Sequence, residues 1–142
     1  MPKAEEIIAR LSLERHPEGG WYRQTFADAA DASGRPHSTA IHYLLEGHDQ
    51  SAWHRVDAAE VWHWYAGAPL RLRLSRDGVT VEEIVLGPGL AAGQRPQGIV
   101  PTHCWQSAKS LGDWTLVGCT VAPGFLFSGF EMAPKGWEPG VG

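Results

Sequence analysis

The chain has 142 residues, with 12 Lys and Arg against 16 Asp and Glu, and a formal net charge of −4. Its length suits one domain with a sizeable core and no covalent staples. The acidic balance, without any basic run, excludes a binder of phosphate backbones, and no apolar run approaches the roughly 18 residues of a membrane span. Two cysteines, Cys104 and Cys119, are too few for a disulfide framework, and the opening stretch lacks the pattern of a secretion signal. The expectation is a cytoplasmic protein with reduced thiols, binding neither nucleic acid nor membrane.

Residues 2–13 begin with Pro2, carry Glu5 and Glu6 early, and set Ile7, Ile8 and Leu11 on one side of a short helix. His16-Pro17-Glu18-Gly19-Gly20 breaks it, the glycines serving backbone conformation. Trp21 to Phe26 reads as an aromatic-rich strand, and residues 27–36 as a surface loop. Ser38 to Leu45 alternates as a strand, with Thr39, Ile41, Tyr43 and Leu45 on one face. After a turn at 47–50 come a run through His54 and a second run, Val61 to Tyr65. Leu70, Leu72 and Leu74 then alternate with Arg71, Arg73 and Ser75. Asp77-Gly78 ahead of Val79-Thr80-Val81 signals a tight hairpin with a buried leucine face and a wet arginine face. Residues 87–98 are a loop by composition, and 99–107, 114–121 and 126–132 read as strands. The tail over 133–142 holds too much Gly and Pro for regular structure and is expected to be loose. Many short strands behind one helix, without repeat or linker, predict a single all-β domain over 1–142, with an antiparallel barrel over about 20–132.

The chain is organised around Ser51 to Leu70, SAWHRVDAAEVWHWYAGAPL. His54, Glu60 and Gly67 fall in the register of the first cupin motif (His-x-His, three or four residues, Glu, six residues, Gly), but Val56 stands where the second histidine belongs. The second motif, Pro-x-Gly-x-x-His, survives as Pro101-Thr102-His103-Cys104-Trp105-Gln106, with Gln106 in place of the histidine. With HPEGGWYRQTF, STAIHYLL and LVGCTVAPGFLFSGFEM, in this order over about Leu11 to Met132, these segments resemble the cupin subfamily DUF985, or Cupin_5. The resemblance implies a cupin jelly roll with a pocket inside the barrel, and no particular reaction. It also implies a twofold homodimer, to which aromatic strand faces such as His63 and Tyr65 would contribute. The residue before Glu60, usually acidic in that subfamily, is Ala59 here.

Parity puts His54 and Val56 on one strand face, which by resemblance points inward. Glu60, Trp62 and Trp64 share a face on the next strand, and Gln106 shares one with Cys104. His54, Glu60 and Gln106 among aromatic walls make a small-molecule pocket, with Trp62 and Trp64 as ligand platforms and Arg23 at the rim, where it pairs an anionic substrate or Glu18. Three readings stand. In the first, a metal-independent isomerase or epimerase of a sugar-like or carbonyl-bearing metabolite uses His54 as base, Glu60 as its orienter and Tyr43 as acid, like deoxysugar epimerases of the cupin class. The second is a cupin that binds a small polar ligand without turnover. In the third, a divalent metal for oxygenase or isomerase chemistry sits on the reduced ligand set His54, Glu60 and Gln106; the expectation is no cofactor, because Val56 and Gln106 remove two imidazoles.

Overall fold

Ala4–Leu11 forms α1, the one α-helix among residues 2–140, which the computed structural model describes. It is shorter than the apolar spacing predicts, because Ser12 turns left-handed at φ 55° and returns its N–H to the last carbonyls. Ala4 and Ile7 pack with Leu44 and Trp114, so the helix covers one end of a sheet from outside. Among the described residues no helix is long and apolar enough to cross a membrane.

Eleven strands follow: β1 (Glu14–Arg15), β2 (Trp21–Ala27), β3 (Thr39–Glu46), β4 (His54–Val56), β5 (Ala59–Gly67), β6 (Leu70–Ser75), β7 (Glu82–Leu86), β8 (Gln97–Val100), β9 (Trp105–Ser110), β10 (Trp114–Ala122) and β11 (Phe130–Met132). Their paired neighbours run antiparallel in two sheets, β1-β2-β3-β10-β5-β8 and β11-β4-β9-β6-β7. The fold is an antiparallel β jelly roll behind one short helix. Between the sheets lie Leu70, Leu72 and Leu74 from β6, Tyr43 and Leu45 from β3, and Trp62 from β5. These positions keep the alternation of the sequence, and each buried leucine contributes roughly 1.5–3 kcal/mol.

Local features differ from the sequence reading. Val79 to Val81 do not pair with β6, because the Asp77 carboxylate accepts the backbone N–H of Val79 and of Thr80 and holds a wider loop; the returning strand is β7. Residues 99–107 are not one strand. His103, at φ 63°, turns the chain between β8 and β9. The tail is irregular as expected, but over residues 133–140 it is seated. Trp137 packs 4.7 Å from the Trp105 ring and 6.1 Å from Trp53, and the Ala133 N–H donates to the Trp53 carbonyl. The arginine face is likewise less wet than expected: Arg73 lies over Trp53, and the Arg71 Nε is buried without a partner.

Candidate functional site

The site starts from the turn His16–Gly20. His16 accepts and donates across it through its backbone, and Gly19 and Gly20 take φ 105° and 82°, where a side chain would be strained. A Cβ at Gly19 would also sit 2.8 Å from the Gln50 carbonyl oxygen. This turn throws Glu18 into the barrel, where it is 8% exposed. Its Oε2 accepts from the Ser51 hydroxyl at 2.6 Å and meets His54 Nδ1 at 2.8 Å. Its Oε1 lies 3.4 Å from His16 Nε2, while His16 Nδ1 accepts the Glu18 backbone N–H at 3.0 Å. Both carboxylate oxygens are therefore engaged.

His54 comes from the opposite sheet. β4 runs between β11 and β9, with His54 in register with Met132 on one side and Gln106 on the other. Its Nδ1 also lies 2.7 Å from the Ala52 carbonyl, so that nitrogen carries a proton and leaves Nε2 for a ligand. Burial disfavours the imidazolium, but the Glu18 carboxylate more than offsets it and pushes the His54 pKa up to about 9. Glu18, although buried, is held below the usual carboxylate range by His54. His16 is pushed down by burial, against the pull of Glu18, and so stays neutral.

Glu60, on β5, is the second carboxyl group. Burial raises its pKa to about 7, against the opposing charge of His54. Gln106 donates to its Oε1 at 2.9 Å and accepts the Trp62 indole N–H, also at 2.9 Å. An indole N–H only donates, so the Gln106 amide has one orientation: oxygen toward Trp62, nitrogen toward Glu60. Cys119, paired with Trp62 across the sheet, bears on Glu60 from β10, and burial together with that carboxylate pushes its thiol well up. Cys104 and Cys119 are both free and buried.

These groups form the polar floor of a cavity of about 150 Å³, with His16, Glu18, His54, Glu60 and Cys119 in its lining. Tyr22, Phe125, Phe127 and Phe130 supply its aromatic wall, and the Phe130 ring lies 5.3 Å from that of His54. The segment carrying Phe125 and Phe127 is tethered. Arg35 binds Asp57 through two nitrogens at 3.0 and 2.7 Å and donates from Nε to the Gly124 carbonyl at 2.7 Å.

Of the residues singled out in the sequence, His54 and Glu60 line the cavity. Gln106 and Trp62 stand behind Glu60, at 0% and 1% exposure, as its support. Trp64 packs against the core and donates to the Ala68 carbonyl, away from the cavity. Tyr43 is buried and donates to the Gly19 carbonyl, bracing the Glu18 turn; burial and Glu18 push its phenol well up. Arg23 points the other way along β2, 3.4 Å from the Ser12 carbonyl, and does not meet Glu18. His63 and Tyr65 lie outside the cavity, His63 beside Thr120. Glu18, the residue that orients His54, is the one the sequence leaves at the rim. For Arg23, strand alternation carried the missing signal: Tyr22 and Gln24 line the cavity, so Arg23 between them cannot.

The donor set does not fit a metal at the position where cupins hold one. His54 is committed to Glu18 and cationic at neutral pH, Val56 offers no donor, and the Gln106 oxygen is taken by Trp62. Elsewhere, Glu46, His48 and Asp49 bring ligand atoms within 4.8 Å of one another on the turn after β3, with Arg15 3.7 Å from Asp49.

The family model for the cupin superfamily group Cupin_5 (DUF985) matches residues 5–133. A protein of Shewanella oneidensis with a solved structure is 36% identical, covering 94% of this chain and 85% of that chain at a TM-score of 0.90. A hypothetical protein from Leishmania major is 27% identical over 96% of this chain and 90% of that one, at 0.86. Oxalate decarboxylase from Bacillus subtilis, a protein with Mn(II) centres, is alike in fold alone: 13% identity, 83% of this chain, 29% of that one and a TM-score of 0.65. No curated protein matches the sequence. From the matched length and the geometry together, the chain belongs to the Cupin_5 (DUF985) family of the cupin superfamily.

Proposed function

We propose that this cupin binds a small carbonyl-bearing metabolite and moves a proton on the carbon next to the carbonyl, as a metal-independent isomerase or epimerase. The carrying observation is the clamp on His54: Nδ1 faces Glu18 and Ala52, so the remaining N–H is offered to the cavity that also holds Glu60. The imidazolium hydrogen-bonds the carbonyl oxygen. Glu60, whose pKa is raised by burial to about 7, takes the proton from the adjacent carbon in its ionised form. The C–H electron pair moves to the oxygen as an enolate, which His54 stabilises. Glu60 then returns the proton to that carbon, on the opposite face once the enolate has turned over. For return to the former carbonyl carbon, His54 gives its proton to the carbonyl oxygen and takes back the one on the adjacent hydroxyl, and the protein is restored.

This assignment reverses the roles expected from sequence. Glu60 is the base, His54 the electrophile, and Glu18 the orienter; Tyr43 supports the turn. A group with a pKa near the working pH is suited to accept and return a proton, and such assistance is typically worth about 10²–10⁴-fold. The test is proton NMR in D₂O with a panel of α-hydroxy ketones and aldoses. Solvent deuterium should enter next to the carbonyl, at a rate abolished in Glu60→Gln and greatly slowed in His54→Gln. Binding without exchange would leave a ligand-binding cupin instead, and exchange untouched by either substitution would overturn the assignment.

A further inference from the structure

The lining of this cavity also selects among carbonyl compounds. We propose that its ligand is an uncharged, compact carbonyl compound with an apolar flank, and neither a carboxylated or phosphorylated metabolite nor a sugar polar on all sides. This deepens the function proposed above and rests on it for the placement of the carbonyl at His54.

Charge comes first. No lysine or arginine lines the cavity among the described residues. Arg35 and Arg23 are committed elsewhere: Arg35 to Asp57 and the Gly124 carbonyl, Arg23 toward the Ser12 carbonyl. The one interior cation, His54, already shares its charge with Glu18 at 2.8 Å. A ligand carboxylate or phosphate would face Glu18 and Glu60 with no free counter-charge, and would lose its water on entry.

Shape and polarity complete the case. The cavity volume of about 150 Å³ matches a void that takes a benzene-sized molecule, so the part of the ligand held inside is about six to ten non-hydrogen atoms. Its hydrogen-bonding groups, His54 and Glu60 at the floor with Gln24 and Thr39 from β2 and β3, leave one flank to Phe125, Phe127 and Phe130, which interlock with ring centroids 4.9 to 6.0 Å apart. A hydroxyl pressed on that wall would lose its water and find no partner, while a methylene or ring edge gains by burial.

Equilibrium binding at neutral pH tests this with three probes of similar size: 2-hydroxycyclohexanone (neutral, one apolar flank), 4-methyl-2-oxopentanoate (charged) and erythrose (neutral, polar throughout). The expected result, by calorimetry or ligand-observed NMR, is that 2-hydroxycyclohexanone binds about tenfold or more tighter than either of the others. Phe127 is half-exposed, so Phe127→Ser should leave the fold intact by circular dichroism. It should weaken 2-hydroxycyclohexanone by about tenfold and leave erythrose unchanged. Equal or tighter binding of the oxo acid or of erythrose would overturn the inference, as would binding of none of the three. Binding is read apart from turnover. A selective but unreactive site would therefore refute the proton transfer and keep the ligand class, and an oxo acid that binds and exchanges would do the reverse.

Discussion

Glu18 Oε2 lies 2.8 Å from His54 Nδ1, although Glu18 stands on the turn between β1 and β2 of one sheet and His54 on β4 of the other. The ion pair spans the barrel interior and is completed by Ser51 and Ala52. Two buried charges taken from water hold only with this degree of satisfaction, and removing one partner strands the other.

Glu18→Gln should therefore cost about 3–5 kcal/mol of stability in urea unfolding. Without the counter-charge, burial governs His54, and its pKa should fall from about 9 to below the ordinary 6.5. An imidazole titration by NMR measures this directly. An unchanged His54 titration in the variant would dissolve the ion pair as the cause.

Stability should depend on pH in a defined sense. His54 is raised from 6.5 to about 9 on folding, so its contribution is fully present below pH 6.5 and lost as the pH rises through about 9. Glu60 is also raised, from 4.5 to about 7, so it lowers stability as the pH climbs between those values. Glu18 is lowered, so its contribution is full above its ordinary 4.5 and is lost as the pH falls from there through its depressed value. Tm should fall steadily from pH 6.5 to about 9, and His54→Gln should flatten that segment. A Tm that rises across this window would contradict the assignment.

Gln106→Leu should orphan the Trp62 N–H and one Glu60 oxygen, at about 1–3 kcal/mol for each buried group left unpaired. Burial already raises Glu60, and losing the opposing hydrogen bond from Gln106 should raise it further. The signature is a lower urea midpoint together with an alkaline shift in the pH profile of proton exchange. A shifted midpoint with an unmoved profile would reduce Gln106 to packing.

The Arg35–Asp57 tether predicts local dynamics. Arg35→Ala frees the Gly124 carbonyl and two Asp57 contacts, and the Gly124 and Phe125 amides, which donate to the Pro36 carbonyl and the Thr39 hydroxyl, should exchange hydrogen faster. The partners are partly exposed, so the global loss should stay near about 1 kcal/mol. Protection at those two amides equal to that of the parent protein would show that the wall holds without the arginine.

Metal content follows from donor chemistry. Protein purified without added metal should carry well under one equivalent of Mn, Fe, Ni or Zn by elemental analysis. A stoichiometric ion that is lost in His54→Ala would mean that the His54–Glu18 pair opens to ligate it.

Much of the fold was legible because period-two alternation survives in β3, β5 and β6, where one side faces a continuous core. The connections were not. Asp77 captures two amides and widens a hairpin that Asp-Gly alone would close tightly, and the His103 turn depends on a backbone angle that composition does not encode. In the site, His54 and Glu60 could be found because motif spacing places them on strands that follow one another in the chain, one in each sheet. Glu18 could not be paired with His54, since their contact joins 36 positions of separation across two sheets and no local pattern records it. The Phe127 side of the cavity was equally hidden, because it lies on a 3₁₀ turn, Phe127–Gly129, in a stretch that reads as a strand.

Trp137 seats against Trp105 and Trp53 in the stretch that follows β11, and β11 pairs with the strand carrying His54. Indoles 4.7 Å apart are close enough to couple their electronic transitions, so this trio should give a circular-dichroism couplet of its own. Because none of the three lines the His54 cavity, their signal offers an optical gauge of how firmly the histidine's strand is seated while the cavity fills and empties.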